Sequence, residues 1–216
     1  NSVRLLLLLL LSSLVYHLKA QTANQDTVIR QSVFLAGITP SSLLNINTGL
    51  QASAGIDFSD IIALHAETAW IFYSFNKDNT IGYRIRVGPR FKYKLFGTSG
   101  YYVEPALNFW RVRYNKEDNF STTDGQRSGR LKYRGMQTMS GFAIHGGKSW
   151  HLGNNLRLDY SLGFGLGRLL VKHEGLPRDV VANSGIEQFF PFFNGFAEGS
   201  YLYPFLIIHL TVYKIL

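Results

Sequence analysis

From Ile81 to Leu95 the chain alternates without a break. Ile81, Tyr83, Ile85, Val87, Pro89, Phe91, Tyr93 and Leu95 fall on one parity, and Gly82, Arg84, Arg86, Gly88, Arg90, Lys92 and Lys94 fall on the other. Successive side chains of a β-strand point to opposite faces, so this run makes a ribbon with one apolar and one basic face; a helix would scatter both sets around its axis. The same period recurs at Leu50–Phe58, Ile62–Phe72, Leu156–Gly167 and Phe205–Tyr213, and turn residues break it between runs. No stretch after Gln21 keeps a helical period.

Eight strands are expected, roughly at 30–45, 48–58, 60–74, 80–95, 100–115, 130–149, 155–173 and 194–215, the first interrupted by Thr39-Pro40. Several exceed the usual five or six residues and reach the ~9–11 that a tilted membrane span needs. The connections at 58–60, 96–99 and 151–154 are short, whereas 116–129 and 174–193 are long. Short turns at one end and long loops at the other are how outer-membrane barrels are built, with the short turns and both termini in the periplasm. A soluble lipocalin-like barrel, apolar faces inward, is the rival. Glycines crowd the non-apolar faces (Gly55, Gly82, Gly88, Gly141, Gly147, Gly163, Gly165, Gly167), which suits a narrow packed lumen. Aromatics gather at strand ends (Trp70, Phe72, Tyr73, Tyr101, Tyr102, Trp110, Tyr114, Tyr201, Tyr203, Tyr213), as interfacial girdles do. The expected fold is therefore all-β, an antiparallel transmembrane β-barrel of about eight strands.

Arg4, the apolar run from Leu5 and the small residue Ala20 before Gln21 read as a secretory signal peptide over 1–20, leaving 21–216 as one outer-membrane barrel domain. Removing Arg4 and Lys19 with that segment lowers the net charge from +8 to +6, and no acid is lost. The chain has no cysteine, so hydrogen bonds and packing must hold it. No phosphate loop, metal-spaced Cys/His set or nucleic-acid module is present, and neither cofactor nor nucleic acid is expected as a partner.

The run Gly82 to Tyr93, followed by Gly100-Tyr101-Tyr102-Val103-Glu104-Pro105-Ala106-Leu107, resembles a family of small Bacteroidetes outer-membrane β-barrels of unknown function. The Ala20-Gln21 junction is similar to signal cleavage sites of that phylum. The resemblance covers most of the mature chain through loose strand patterns. It implies location and fold and carries no active residues.

The basic face supplies the first candidate site. Arg84, Arg86, Arg90 and Lys92 point into the lumen on this reading and need partners there. A hairpin folded about Gly97 pairs residues whose numbers sum to about 194, which sets Arg90 opposite Glu104 and Pro89 opposite Pro105, where a shared ladder defect at a bulge is expected. The turn about Asn76 to Asp78 brings Glu67 near Arg86. Glu67, Arg84, Arg86, Arg90, Lys92 and Glu104 thus read as a lumen charge network rather than an anion path, since eight strands leave little room for one.

A turn at His151–Asn154 would pair residues summing to about 304, facing His145 with Asp159 and leaving Ser161 diagonal to them. Ser, His and Asp within reach are the materials of a hydrolase, but no nucleophile elbow or oxyanion signal accompanies them. His65 and His209 at a similar depth would make a histidine trio with His145, and no metal is assigned to it. Phe189, Phe190, Phe192 and Phe193 form an apolar block that serves either as aromatic girdle or as docking patch. The function expected is a non-catalytic structural or accessory barrel in contact with outer-membrane lipid, which meets another membrane protein through 116–129 and 174–193. The alternatives are a lipid-modifying or hydrolytic enzyme, a narrow channel and a soluble carrier.

Overall fold

The computed structural model describes residues 32–44, 47–74, 77–95, 98–122, 128–153, 155–175, 180–182 and 198–216. They form β1 (Val33–Ile38), a 3₁₀ turn (Pro40–Leu44), β2 (Asn47–Asp57), β3 (Ile62–Ser74), β4 (Asp78–Leu95), β5 (Thr98–Thr122), β6 (Ser128–Leu152), β7 (Leu156–Glu174), β8 (Val180–Ala182) and β9 (Gly199–Ile215). Each long strand pairs antiparallel with its neighbour in the chain, β7 pairs with β9, and β9 returns to β1, so eight strands close a ring. β8 lies outside the ring, against the end of β5 at Phe120–Thr122. The chain is an all-β antiparallel barrel.

Alternation decides which side of each strand faces in. On β4, Arg86, Gly88 and Arg90 are buried while Ile81, Tyr83, Ile85, Val87 and Tyr93 are exposed. On β7, Arg157, Asp159 and Ser161 are buried while Tyr160, Leu162, Phe164 and Leu166 are exposed. Polar residues and glycines line the lower interior, apolar side chains such as Ile71, Val112, Met139 and Phe205 line the upper interior, and the exposed apolar faces form the outer wall. The girdle residues divide between the two sides. Trp70, Phe72 and Tyr73 are exposed, whereas Tyr102, Tyr114 and Tyr213 are buried in the lumen.

Three boundaries differ from expectation. β1 stops at Ile38, where Pro40 opens the 3₁₀ turn; proline lacks the ladder donor but fits the first position of a helical turn. Most of the loop expected at 116–129 is strand, because pairing continues as far as Ser121 with Ser128. Opposite charges such as Glu117 and Lys132, 3.4 Å apart, carry the hairpin past the end of the apolar alternation. Within the loop expected at 174–193, Val180–Ala182 is strand; the Phe189, Phe190, Phe192 and Phe193 block lies outside the described residues.

The hairpin of β4 and β5 keeps the register sum of 194 at Val87 with Leu107 and again at Phe91 with Val103. Between these pairs, where Pro89 faces Pro105, the ladder lapses without a register shift, so the expected bulge is not formed. Neither proline has a donor, and the two defects coincide instead of displacing the strand. A Cβ on Gly88 would stand 2.2 Å from the Pro105 carbonyl oxygen, so glycine is what lets the backbones approach here.

Candidate functional site

The lower lumen, toward the short connections Asp57 to Ile62, Leu95 to Thr98 and Leu152 to Leu156, is filled by charge. Arg90 Nε donates to Glu104 Oε2 at 2.9 Å and bridges the stretch where the ladder lapses; its Nη1 also meets Asp159. The Arg90 guanidinium lies 3.8 Å over the Tyr102 ring. Arg86 pairs with Glu67 at 2.8 Å and lies 3.6 Å from Glu104. Lys92 and Arg157 both engage Asp57, at 2.7 and 3.1 Å, and Arg157 also binds Asp159 at 2.8 Å. Gln51 donates to Glu67 at 2.6 Å. Each carboxylate of this cluster therefore has two or more donors, as burial of charge requires.

Arg84 stands apart. Its Nη2 donates to the amide oxygen of Gln51 at 2.6 Å, and no carboxylate pairs with it among the described residues. The structure thus joins five of the six expected network residues through ion pairs and sets Arg84 at their upper margin. Asp57, Arg157 and Asp159 belong to the same network. The alternation of β7 already puts Arg157 and Asp159 on the face opposite Leu156, Leu158 and Tyr160, which is the signal by which they are found.

The Ser–His–Asp arrangement does not form. β6 and β7 pair with a sum of 308, so His145 faces Gly163, Asp159 faces Ser149 and Ser161 faces Gly147. The cause is the turn. Trp150, His151 and Leu152 remain in the strand, and the chain reverses after Gly153, whose φ of 71° suits glycine. A Cβ on Gly163 would lie 2.3 Å from His145 Nδ1, so that glycine makes room for the imidazole. Arg86 Nη1 approaches His145 Nδ1 at 3.0 Å, while the Asp159 carboxylate is taken by Arg90 and Arg157.

Of the three histidines, His145 and His209 come together, with their rings 6.1 Å apart, and His65 joins them through shared carboxylates. Their polar atoms serve the network: His65 contacts Glu104 at 3.2 Å and the Tyr213 hydroxyl, and His209 contacts Glu67 at 3.1 Å. Among the described residues no group of three His, Cys, Asp or Glu side chains is placed to hold a metal.

Above the network the lumen is apolar and incompletely filled. A cavity of about 140 Å³ lies between Ile71, Trp110, Met139, Tyr203 and Phe205 on its apolar side and Arg84, Arg86 and Gln51 on its polar side. Ile71, Val112 and Tyr114 pack together above it, and Lys77, which donates to Gln137 at 2.9 Å, lies 4.3 Å over the Tyr114 ring.

Comparison of the chain with protein families, curated proteins and solved structures gives no match. The functional reading therefore rests on this geometry.

Proposed function

We propose that this chain is a small outer-membrane β-barrel with a non-catalytic structural or accessory role, its termini in the periplasm. The observation that carries this reading is the inversion of the barrel. An outer wall of Leu, Ile, Val and Phe surrounds a ring-closed sheet whose lower interior is occupied by paired charges. In water such a wall would expose a large contiguous apolar area, whereas in lipid it is the expected surface. A soluble carrier of an apolar ligand needs the opposite facing.

The outward charges agree with that placement. The outward parities of β2, β3 and β4 carry no charged residue between Asn47 and Leu95, whereas above Leu107, Phe142 and Leu166 those of β5 to β7 carry the cations Arg111, Arg113, Arg130, Lys132, Arg134, Arg168 and Lys172 against the acids Glu117 and Glu174. Cations at the upper edge of an apolar belt suit the anionic headgroups of an outer leaflet. Against a catalytic set of Ser161, His145 and Asp159 stands the engagement of Asp159 and His145 by arginines; the histidine in register with Ser161 is His209, which contacts Glu67 at 3.1 Å within the charge network.

Fractionation of cells making the full chain tests the proposal. The protein is expected in the outer-membrane fraction, and its folded form should migrate differently from the boiled form on a gel. Recovery in the soluble fraction, with no shift on heating, would refute it.

A further inference from the structure

Among the described residues, β1 closes the ring over only part of its height. β1 pairs with β9 only from Leu35–Ile215 to Ile38–Val212 and with β2 only from Val33–Asp57 to Ile38–Ala52. Thr39, Ser41 and Ser42 stitch the next few ångströms. Thr39 N donates to the Gln51 carbonyl at 3.1 Å, Leu210 N donates to Ser41 Oγ at 2.9 Å, and Ser42 Oγ donates to the Gly49 carbonyl at 2.6 Å. Higher up, among the described residues, no strand pairs with this edge of β2 or of β9. The result is a seam in the wall.

The cavity above the charge network lies behind that seam. Its lining includes Asn47 and Gln51 of β2 and Tyr203, Phe205 and Ile207 of β9, and also Leu206, whose side chain is on the outer wall. The Ile71, Val112 and Tyr114 cluster lies above it and the ion pairs lie below it, so the way out is sideways. On the outer face Leu43, Leu50, Trp70 and Tyr83 line an apolar groove that shares Gln51 with the cavity.

Two features of the lining select a ligand class. Among the described residues of the network five cations, Arg84, Arg86, Arg90, Lys92 and Arg157, stand against four carboxylates, Asp57, Glu67, Glu104 and Asp159, and the one cation without a carboxylate partner, Arg84, lines the cavity. The Nε of Arg86 is a buried donor with no partner, on a residue only 3% exposed. Guanidinium is charged at any accessible pH and presents a planar fork that matches a carboxylate. The remaining wall is aromatic and aliphatic, and a cavity of roughly 150 Å³ takes an apolar group the size of benzene.

We infer that the seam and cavity form a binding site for a fatty acid, whose carboxylate is held by Arg84 and Arg86 while its chain leaves past Phe205, Ile207 and Leu206 into the surrounding lipid. The site rests on the membrane reading above, because only lipid at the seam supplies such a ligand and solvates its tail. Head-first entry follows from the lining: the cations are on the inner wall, and the apolar residues lead from them to the seam.

The test uses the full barrel in nanodiscs of zwitterionic phosphatidylcholine, with Trp70→Phe and Trp150→Phe so that Trp110, in the cavity wall, is the remaining tryptophan. Quenching of Trp110 by 2-bromododecanoate, whose bromine lies beside the head, should saturate, with half-saturation about tenfold weaker in Arg84→Gln, the loss expected for one charge-assisted hydrogen bond. Ala69→Phe, which fills the cavity from β3, should abolish the saturable part. The uncharged methyl 2-bromododecanoate and the short 2-bromohexanoate should both bind more weakly. Linear, unsaturable quenching that is equal in all variants would mean bilayer partition only and would overturn the proposal. Equal affinity for 2-bromohexanoate and 2-bromododecanoate would overturn the lipid origin of the ligand. Failure of the barrel to insert into lipid at all would instead sink the membrane reading, so the two failures are distinct.

Discussion

The lower and upper halves of the lumen are lined by the same alternating strands and filled in opposite ways. Below, Asp57, Glu67, Glu104 and Asp159 meet Arg86, Arg90, Lys92 and Arg157 in one continuous set of ion pairs. Above, Arg84 holds only an amide, and the space beside it is bounded by Trp110, Met139 and Phe205 without being filled. The lower half coincides with complete pairing of β1 to both its neighbours; the upper half coincides with the seam left where β1 ends at Ile38. Closure of the wall and saturation of the interior go together, and the place where both lapse is where a ligand has room.

This contrast is sharpest in its arginines. Breaking a buried pair by removing one partner typically costs ~3–5 kcal/mol, because the other charge is left uncompensated. Arg90→Ala and Glu104→Ala are each expected to destabilise the barrel by about that amount in detergent or lipid. The double mutant should lose much less than the sum, as a double-mutant cycle measured by unfolding would record. Additive losses would show that the pair contributes no coupling, and the lower lumen would then be no better fastened than the upper.

At the other end of the scale, Arg84→Gln should change stability by only about 1 kcal/mol, the range of a single net hydrogen bond, since no carboxylate is orphaned by it. The same unfolding experiment reads both effects. A loss for Arg84→Gln as large as that for Arg90→Ala would erase the distinction between the two halves.

The lower half was the more legible of the two from sequence. Parity alone assigns Arg84, Arg86, Arg90 and Lys92 to one face, and one turn near Gly97 is enough to set Arg90 opposite Glu104. The register of β6 on β7 was harder, because the segment from Ser149 to Asn155 offers several turn positions, and among its described residues Gly153 takes the positive φ. Placing the reversal too early shifted the pairing by four in the sum while leaving parity intact, so facing survived and the Ser–His–Asp contact did not. The seam was hidden for another reason. It depends on where β1 gives way to the turn at Pro40 and on which strands then lack a partner, which is a property of the closed ring and not of any local pattern.

Accessibility of the outer wall to lipid is the most direct test of the account. The chain has no cysteine, so a single spin label can be attached through Leu162→Cys, in the middle of the β7 apolar face, or through Arg113→Cys, on the outer face of β5 above the belt. In bilayers the label at 162 is expected to collide readily with oxygen and scarcely with a water-soluble nickel chelate, whereas the label at 113 should show the reverse. A label at 162 as open to the nickel chelate as the one at 113 would mean that the apolar wall does not face lipid, and the membrane barrel would have to be given up.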